Sequence, residues 1–217
     1  AYEIRLSLVG SEMCIRDRYL AISKGRILEE SLKLLERLNI KCEESPMDSR
    51  KLIFRTNDKN MKIIIVRASD VPTYVESGKV DMGIVGKDTL LEKNSNDLLR
   101  LKDLQIAKCR LVIAGKKGVS LVSNMKIATK YPTITQKYFQ SQGLPCTILK
   151  LYGSIELAAV LGMTDAVVDL VETGNTLKEN GLSELKIIEN ISSYLVVNKT
   201  SYRFNKEYVD KFISKIS

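Results

Sequence analysis

The residues best suited to chemistry lie in one run, Ala166-Val-Val-Asp169-Leu-Val-Glu172-Thr173-Gly174-Asn175-Thr176-Leu177. An apolar strand here leads into a tight loop, and the loop leads into a helix. Backbone N–H groups at such a helix start point outward at the positive end of the dipole, which suits a phosphate. Gly174 lets a ligand approach the backbone because no Cβ intervenes. Thr173 and Thr176 add hydroxyl donors. Asp169 falls at the carboxyl end of its strand, where ligands bind in open α/β sheets. Asp165 has the same parity and is expected to share its face. Carboxylates beside a phosphate loop would accept hydrogen bonds from sugar hydroxyls or hold a Mg²⁺ ion. An ordinary strand-to-helix turn with a threonine cap also reads as TGxT; the upstream acids favour the chemical reading.

A second group follows another short apolar strand: Ser23-Lys24-Gly25-Arg26, at a helix start, where two cations and the helix N-terminus would hold an anion together. Asp48-Ser49-Arg50-Lys51 adds two cations ahead of the strand candidate Leu52–Phe54, and Arg67 and Asp70 flank the end of another strand. Each is weak alone, since basic residues in turns are usually just solvated. Their joint occurrence at strand ends carries the weight.

The elements that must position these groups alternate. Tyr19–Ile22, Lys62–Arg67, Val80–Val85, Arg110–Ala114, Lys126–Thr129, Thr147–Leu151 and Ala166–Leu170 read as strands. Helical spacing runs from Ile27 to Leu38, and Pro72 and Pro132 each open a helix in its first turn. Gly86-Lys87-Asp88 reads as a turn. Asn205 is a candidate N-cap for a last amphipathic helix with Val209, Phe212, Ile213 and Ile216 on one face. The rhythm predicts an α/β protein with mostly parallel sheets. The stretches Leu98–Ala114 and Lys186–Val197 are candidate crossovers between two lobes. Residues 1–18 carry no clean period, and SLVGSEMCIRDR resembles translated adapter sequence; we read them as a non-native extension.

Composition narrows the chemistry. The 217 residues include no histidine, which excludes Ser-His-Asp and Cys-His catalysis, histidine metal sites and histidine acid–base steps. Cys14, Cys42, Cys109 and Cys146 form no CxxC pair and read as thiols in a reducing, cytoplasmic setting. No apolar run reaches the roughly 18 residues a membrane span needs. The formal net charge is +8, and residues 104–155 hold eight Lys and Arg with no acid, so the whole excess lies there. That favours an anionic partner. The stretch lacks Arg clusters and nucleic-acid motifs, so nucleic acid is the weaker candidate.

From Tyr19 onward the chain resembles the short form of the ATP phosphoribosyltransferase family, which opens histidine biosynthesis. The resemblance rests on LAISKGR (Leu20–Arg26), DSRKLIF (Asp48–Phe54), RASDVPTYVESGKVDMGIVGKD (Arg67–Asp88), KCRLVIAG (Lys108–Gly115), KIATKYP (Lys126–Pro132) and GSIELAAVLGMTDAVVDLVETGNTLKENGL (Gly153–Leu182). It departs at Ser23, where Pro or Gln is more familiar, and in the unmatched first 18 residues; other phosphoribosyltransferases often carry two adjacent acids before their TGxT, where this chain has Asp169 and Leu170.

The resemblance implies a two-lobed fold like that of periplasmic binding proteins, each lobe a mixed or mostly parallel sheet flanked by helices. Lobe I would comprise residues 19–107 and 187–217, and lobe II residues 108–186. It implies transfer of the phosphoribosyl group of 5-phosphoribosyl-1-pyrophosphate to N1 of ATP, giving phosphoribosyl-ATP and pyrophosphate. Thr173, Gly174, Asn175 and Thr176 would hold the 5-phosphate, Asp169 the ribose hydroxyls, with Asp165 and Glu172 as support for ribose or Mg²⁺. Lys24, Gly25, Arg26 and Arg50 would bind ATP, and Arg26 and Arg50 would stabilise the leaving pyrophosphate, Arg50 acting across a subunit interface. Mg²⁺ would be held mainly by the pyrophosphate. The implied partner is a histidyl-tRNA-synthetase-like regulatory subunit, with catalytic dimers inside a cytoplasmic hetero-octamer and no nucleic acid or membrane. The alternatives are a non-catalytic small-anion binding protein of the same two-lobed fold, an adenine or orotate phosphoribosyltransferase, and a basic nucleic-acid-binding domain.

Overall fold

The computed structural model describes residues 17–216. Residues 1–16 of the segment read as an extension lie outside the described residues. Its last two, Asp17 and Arg18, are placed, and Arg18 begins the first strand, paired with Met61.

Lobe I is a six-stranded sheet in the order β2-β3-β1-β4-β11-β5. Its strands are β1 (Arg18–Ser23), β2 (Ile53–Arg55), β3 (Met61–Val66), β4 (Met82–Gly86), β5 (Leu98–Asp103) and β11 (Ser193–Asn198). Strands β3, β1 and β4 run parallel, and β2 and β11 run against their neighbours. Lobe II is a five-stranded sheet in the order β10-β6-β9-β7-β8. It is built from β6 (Cys109–Lys116), β7 (Met125–Thr129), β8 (Cys146–Lys150), β9 (Ala166–Val171) and β10 (Leu182–Ile191). Both sheets are therefore mixed. The chain passes from the first sheet to the second between Asp103 and Cys109 and returns at Ser192.

Each sheet is covered on both faces, which is why its central strands are continuously apolar rather than alternating. In β1, Leu20 and Ile22 join one core and Ala21 the opposite one, all fully buried. Lobe II repeats this, with Leu111, Ile113, Ile127 and Val168 on one face and Val112, Ala114, Ala128 and Val167 on the other. Each such Leu, Ile or Val contributes about 1.5–3 kcal/mol relative to exposure. The covering helices are α1 (Arg26–Arg37), α2 (Val71–Glu76), α3 (Lys87–Lys93), α4 (Pro132–Ser141), α5 (Glu156–Val160), α6 (Asn175–Glu179) and α7 (Lys199–Ile216). Helix α2 sits so close on β4 that a Cβ at Gly83 would meet Val71 Cγ1 at 2.8 Å and Val75 Cγ2 at 2.9 Å.

Two predicted elements differ. Gly86-Lys87-Asp88, read as a turn, opens helix α3 over Lys87–Lys93. Helix α7 joins two helical segments: the second follows Asn205, where a start was expected, and an unexpected first segment begins at Lys199. Asn198 Oδ1 caps it by accepting the N–H groups of Thr200 (2.8 Å) and Ser201 (3.2 Å). Asn205, at φ −116° and ψ 20°, separates the two segments, as its reading as the start of the last helix expects. Among the described residues no helix is long and apolar enough to cross a membrane.

Candidate active site

The parallel strands β1, β3 and β4 end at the same side of lobe I, and β7 and β9 end facing them from lobe II. Between them lies a cleft of about 390 Å³, lined by Ser23, Lys24, Arg26, Gly86, Asp88, Thr89 and Glu92 from lobe I. Lys130, Tyr131 and Leu170 line it from lobe II, and Ala107, Cys109, Ile191 and Ser193 from the crossovers. This size accommodates a small organic ligand.

Gly25 turns β1 into α1 with φ +88°, a conformation costly for any residue with a side chain, and so delivers Lys24 and Arg26 to the cleft. The Arg26 guanidinium is held on several sides. It pairs with Glu172 of lobe II, donates from Nη2 to the Lys108 carbonyl at 2.8 Å, and has Glu30 at 3.7 Å from Nε. It also donates to Cys109, whose thiol is pushed up chiefly by burial and next by Asp88. Glu172 is thus beside Arg26, directly before the Thr173–Thr176 turn.

That turn lies at the carboxyl end of β9 as expected. Gly174 takes φ +81°, and Thr173, Asn175 and Thr176 are exposed. The following α6 has only five residues, so phosphate binding would rest on local N–H groups and hydroxyls more than on a macrodipole. Asp169 is mostly buried. Burial pushes its carboxyl from 3.8 up to about 6; the Leu170 N–H and Lys130 lower it, and Glu156 and Asp88 raise it. Its Oδ1 accepts the Leu170 N–H at 2.8 Å.

Two expected contributors sit elsewhere. Asp165 is at the start of β9, and four residues at roughly 3.3 Å each separate it from the Asp169 end. Its carboxylate accepts the Lys126 N–H at 2.7 Å, so it serves the β7–β9 junction. Arg50 is exposed on the loop before β2 and does not line the cleft. Its neighbours Ser49 and Lys51 line a shallow pocket with Lys24 and Gly25, so its loop packs beside the Ser23–Arg26 turn.

The structure adds residues that sequence reasoning missed. Asp88, only 7 % exposed, is pushed up by burial, and the Tyr131 hydroxyl donated across the cleft opposes that rise. Burial and the same carboxylate push the Tyr131 hydroxyl up. A Cβ at Gly86 would meet Asp88 Oδ1 at 2.1 Å, so glycine makes the room in which that carboxylate sits. The available signal was Gly86-Lys87-Asp88 directly after a lobe I strand, charged groups at one more strand end. Ser23 and Ser193 flank Gly86 on neighbouring strands, with buried hydroxyls lacking a protein partner. The basic stretch divides between two ends of lobe II. Arg110 and Lys130 lie at the cleft end; Lys116, Lys117 and Lys126 lie at the far end, where β9 begins.

The arrangement sets a desolvated carboxylate and an exposed glycine turn near a guanidinium, which suits a sugar phosphate carrying a further anionic group. The family profile described as ATP phosphoribosyltransferase matches residues 67–217. An ATP phosphoribosyltransferase of Citrifermentans bemidjiense is 48% identical over 200 residues, covering 89% of this chain and 94% of the relative. One of Neisseria gonorrhoeae is 52% identical over 190 residues, covering 85% and 86%. Among solved structures, an ATP phosphoribosyl transferase (HisG:HisZ) complex from Thermotoga maritima superposes with TM-score 0.79 at 38% identity, covering 92% of this chain and 96% of that one. The periplasmic sulphonate-binding protein SsuA of Escherichia coli shares the fold alone, with TM-score 0.58 at 15% identity over 93% of this chain and 71% of that one.

Proposed function

The chain belongs to the ATP phosphoribosyltransferase family, and from that membership we propose how its residues divide the reaction. It transfers the phosphoribosyl group of 5-phosphoribosyl-1-pyrophosphate to N1 of ATP, the first step of histidine biosynthesis. The adenine N1 lone pair forms the new bond to the ribose C1, and the C1–O bond breaks with its electrons leaving on pyrophosphate. Positive charge builds on the sugar and negative charge on the leaving group, so positioning and charge stabilisation suffice, without a protein nucleophile.

The observation that carries this division is the desolvated Asp169 near the end of β9, ahead of the Thr173–Thr176 turn, whose neighbour Glu172 pairs with Arg26 of lobe I. Thr173, Gly174, Asn175 and Thr176 hold the 5-phosphate. Asp169 accepts hydrogen bonds from the ribose hydroxyls, and its charge favours the developing cation. Arg26 exchanges Glu172 for the pyrophosphate, with Lys24 and Gly25 beside it toward the ATP phosphates. Arg50, exposed outside the cleft lining, serves the leaving group in the cleft of a second copy.

Among the described residues no group of three Cys, Asp or Glu could cage a metal. We infer a Mg²⁺ ion that arrives on the pyrophosphate, with Asp169, a desolvated carboxylate on which Lys130 also acts, as the side chain that would support it. The ion would neutralise charge on the leaving group. The partner we propose is a HisZ-type subunit like that in the Thermotoga complex, histidyl-tRNA-synthetase-like and regulatory, joined to catalytic dimers in a hetero-octamer. A cytoplasmic setting fits the nucleotide substrates and the free thiols of Cys42, Cys109 and Cys146.

The test is incubation of the purified chain, alone and with its HisZ-type partner, with ATP, 5-phosphoribosyl-1-pyrophosphate and Mg²⁺. Pyrophosphate release with a product of phosphoribosyl-ATP mass is expected. Substrate binding without release in either case would mark a non-catalytic binding protein.

A further inference from the structure

Glu92 lies four residues after Asp88 on α3, in lobe I, and its carboxylate crosses to lobe II. Oε1 accepts the Thr133 N–H at 3.0 Å and Oε2 the Ile134 N–H at 3.1 Å. These amides belong to the first turn of α4, where no intrahelical carbonyl can take them. Helix α4 has no side-chain cap of its own. Its N-cap residue is Tyr131, whose hydroxyl lies toward Asp88. Helix α3 thus grips the start of α4 through Glu92 on the amides, with Asp88 facing the tyrosine hydroxyl beside it.

The gripped turn carries Lys130 and Tyr131, both lining the cleft. Lobe II fixes the local shape of that turn by itself. The Tyr131 N–H donates to Thr129 Oγ1 at 2.9 Å, and Thr135 Oγ1 donates to the Tyr131 carbonyl at 2.7 Å. What lobe II cannot fix alone is where the turn stands relative to lobe I. A carboxylate on two helix N-terminal amides supplies that, because charge-assisted hydrogen bonds and the helix dipole act together.

We propose that Glu92 is a positioning residue for phosphoribosyl transfer: by clasping the α4 amides across the cleft, it holds the two lobes at the separation where Lys130 and Tyr131 face Asp88. This rests on reading the cleft as the transferase site. Substrates that touch both lobes bind in proportion to the fraction of molecules with the lobes at working distance. Loss of the clasp lowers that fraction. It raises KM for ATP and for 5-phosphoribosyl-1-pyrophosphate together and leaves turnover of the bound complex unchanged. Two further cross-lobe ion pairs, Arg26–Glu172 and Lys87–Glu189, remain and bound the effect.

The experiment compares the full chain with Glu92→Gln and Glu92→Ala. Both KM values should rise about two- to thirtyfold, the span a lost helix cap sets, with kcat within about twofold. A merely structural role would instead lower kcat through the active fraction and leave KM alone, which would overturn the proposal. The double variant Glu92→Ala/Thr133→Asp puts an acid at the start of α4 without bridging the lobes. It should leave KM raised; a return to the wild-type KM would show that only the helix end needed a cap. Amide exchange at Thr133 and Ile134 should quicken in Glu92→Gln, and unchanged exchange would refute the clasp whatever the activity. Calorimetric ATP affinity separates the two readings. A wild-type chain that binds ATP but makes no product would refute the transferase reading. An ATP affinity equal in wild type and Glu92→Gln would refute the clasp.

Discussion

Replacing Asp169 with Asn should stabilise the folded chain at neutral pH while removing most of its activity. Loss of hydration is the main reason the carboxyl is raised from 3.8 to about 6, and Glu156 and Asp88 outlie it as like charges. The folded state therefore penalises the charged form. The penalty is absent while the group is protonated in both states, below its unfolded value. It grows as pH rises between the two values and is complete above about 6. A shift of roughly two units at about 1.36 kcal/mol each sets a ceiling near 3 kcal/mol. The cleft opens to solvent, so a difference of about 1–3 kcal/mol in favour of Asp169→Asn is expected at pH 7.5, falling toward zero near pH 4. Asparagine keeps an oxygen for the Leu170 N–H, so no hydrogen bond is lost. Urea unfolding of both proteins across this range measures it. A stability difference that is flat with pH, or that favours wild type at neutral pH, would refute the argument. The same substitution should lower kcat/KM by at least about a hundredfold, because the charge facing the developing sugar cation is gone. In wild type, kcat/KM should fall on the acid side with an apparent pKa near 6.

Arg26→Ala and Arg50→Ala should each lower kcat by about a hundredfold or more with circular dichroism unchanged, and near-normal turnover in both would remove them from the chemistry. Gly86→Ala should destabilise by about 1–3 kcal/mol and lower Tm by about 2–10 °C, because the new methyl meets Asp88 Oδ1 at 2.1 Å. If general attraction of polyanions is what the basic lobe II supplies, neutralising Lys116, Lys117 and Lys126 should raise KM at low salt and lose that effect at high salt. An unchanged KM at low salt would reduce those lysines to a solvated surface.

How much of this was legible depended on local burial and on element length. The strands RYLAIS, MKIIIV and AVVDLV could be read because covering helices make both faces apolar. The Asp169 and Thr173–Thr176 group could be read because a single strand–turn–helix unit holds it. Helix α3 was not legible: seven residues, KDTLLEK, give too few turns for a period, and the segment passes for a turn. The loss was large, since Asp88 and Glu92 are on it. Asp165 misled because strand parity assigns a face but not an end, and the sheet puts it at the far end of β9. Asn205 was legible because its non-helical backbone separates two helical segments, the second carrying Val209 and Phe212; the first segment, from Lys199, had no apolar period to announce it. The pairing of Asp88 with Tyr131 has no local sequence signal, since 43 positions and a change of lobe separate them.

The two crossings of the chain also fix an order of assembly during synthesis. All five strands of lobe II lie in one unbroken stretch, 109–191, so its sheet has every strand once Ile191 leaves the ribosome. Lobe I does not. Between β4 and β5 its sheet needs β11, which is made after all of lobe II, and one face of its core needs Val209 and Phe212 of the last helix. The lobe made first is thus the one finished last, with a gap in its sheet while its neighbour is already closed. A nascent chain stalled before Ser193 would expose the unpaired edges of β4 and β5, the surface on which strand-pairing aggregation begins.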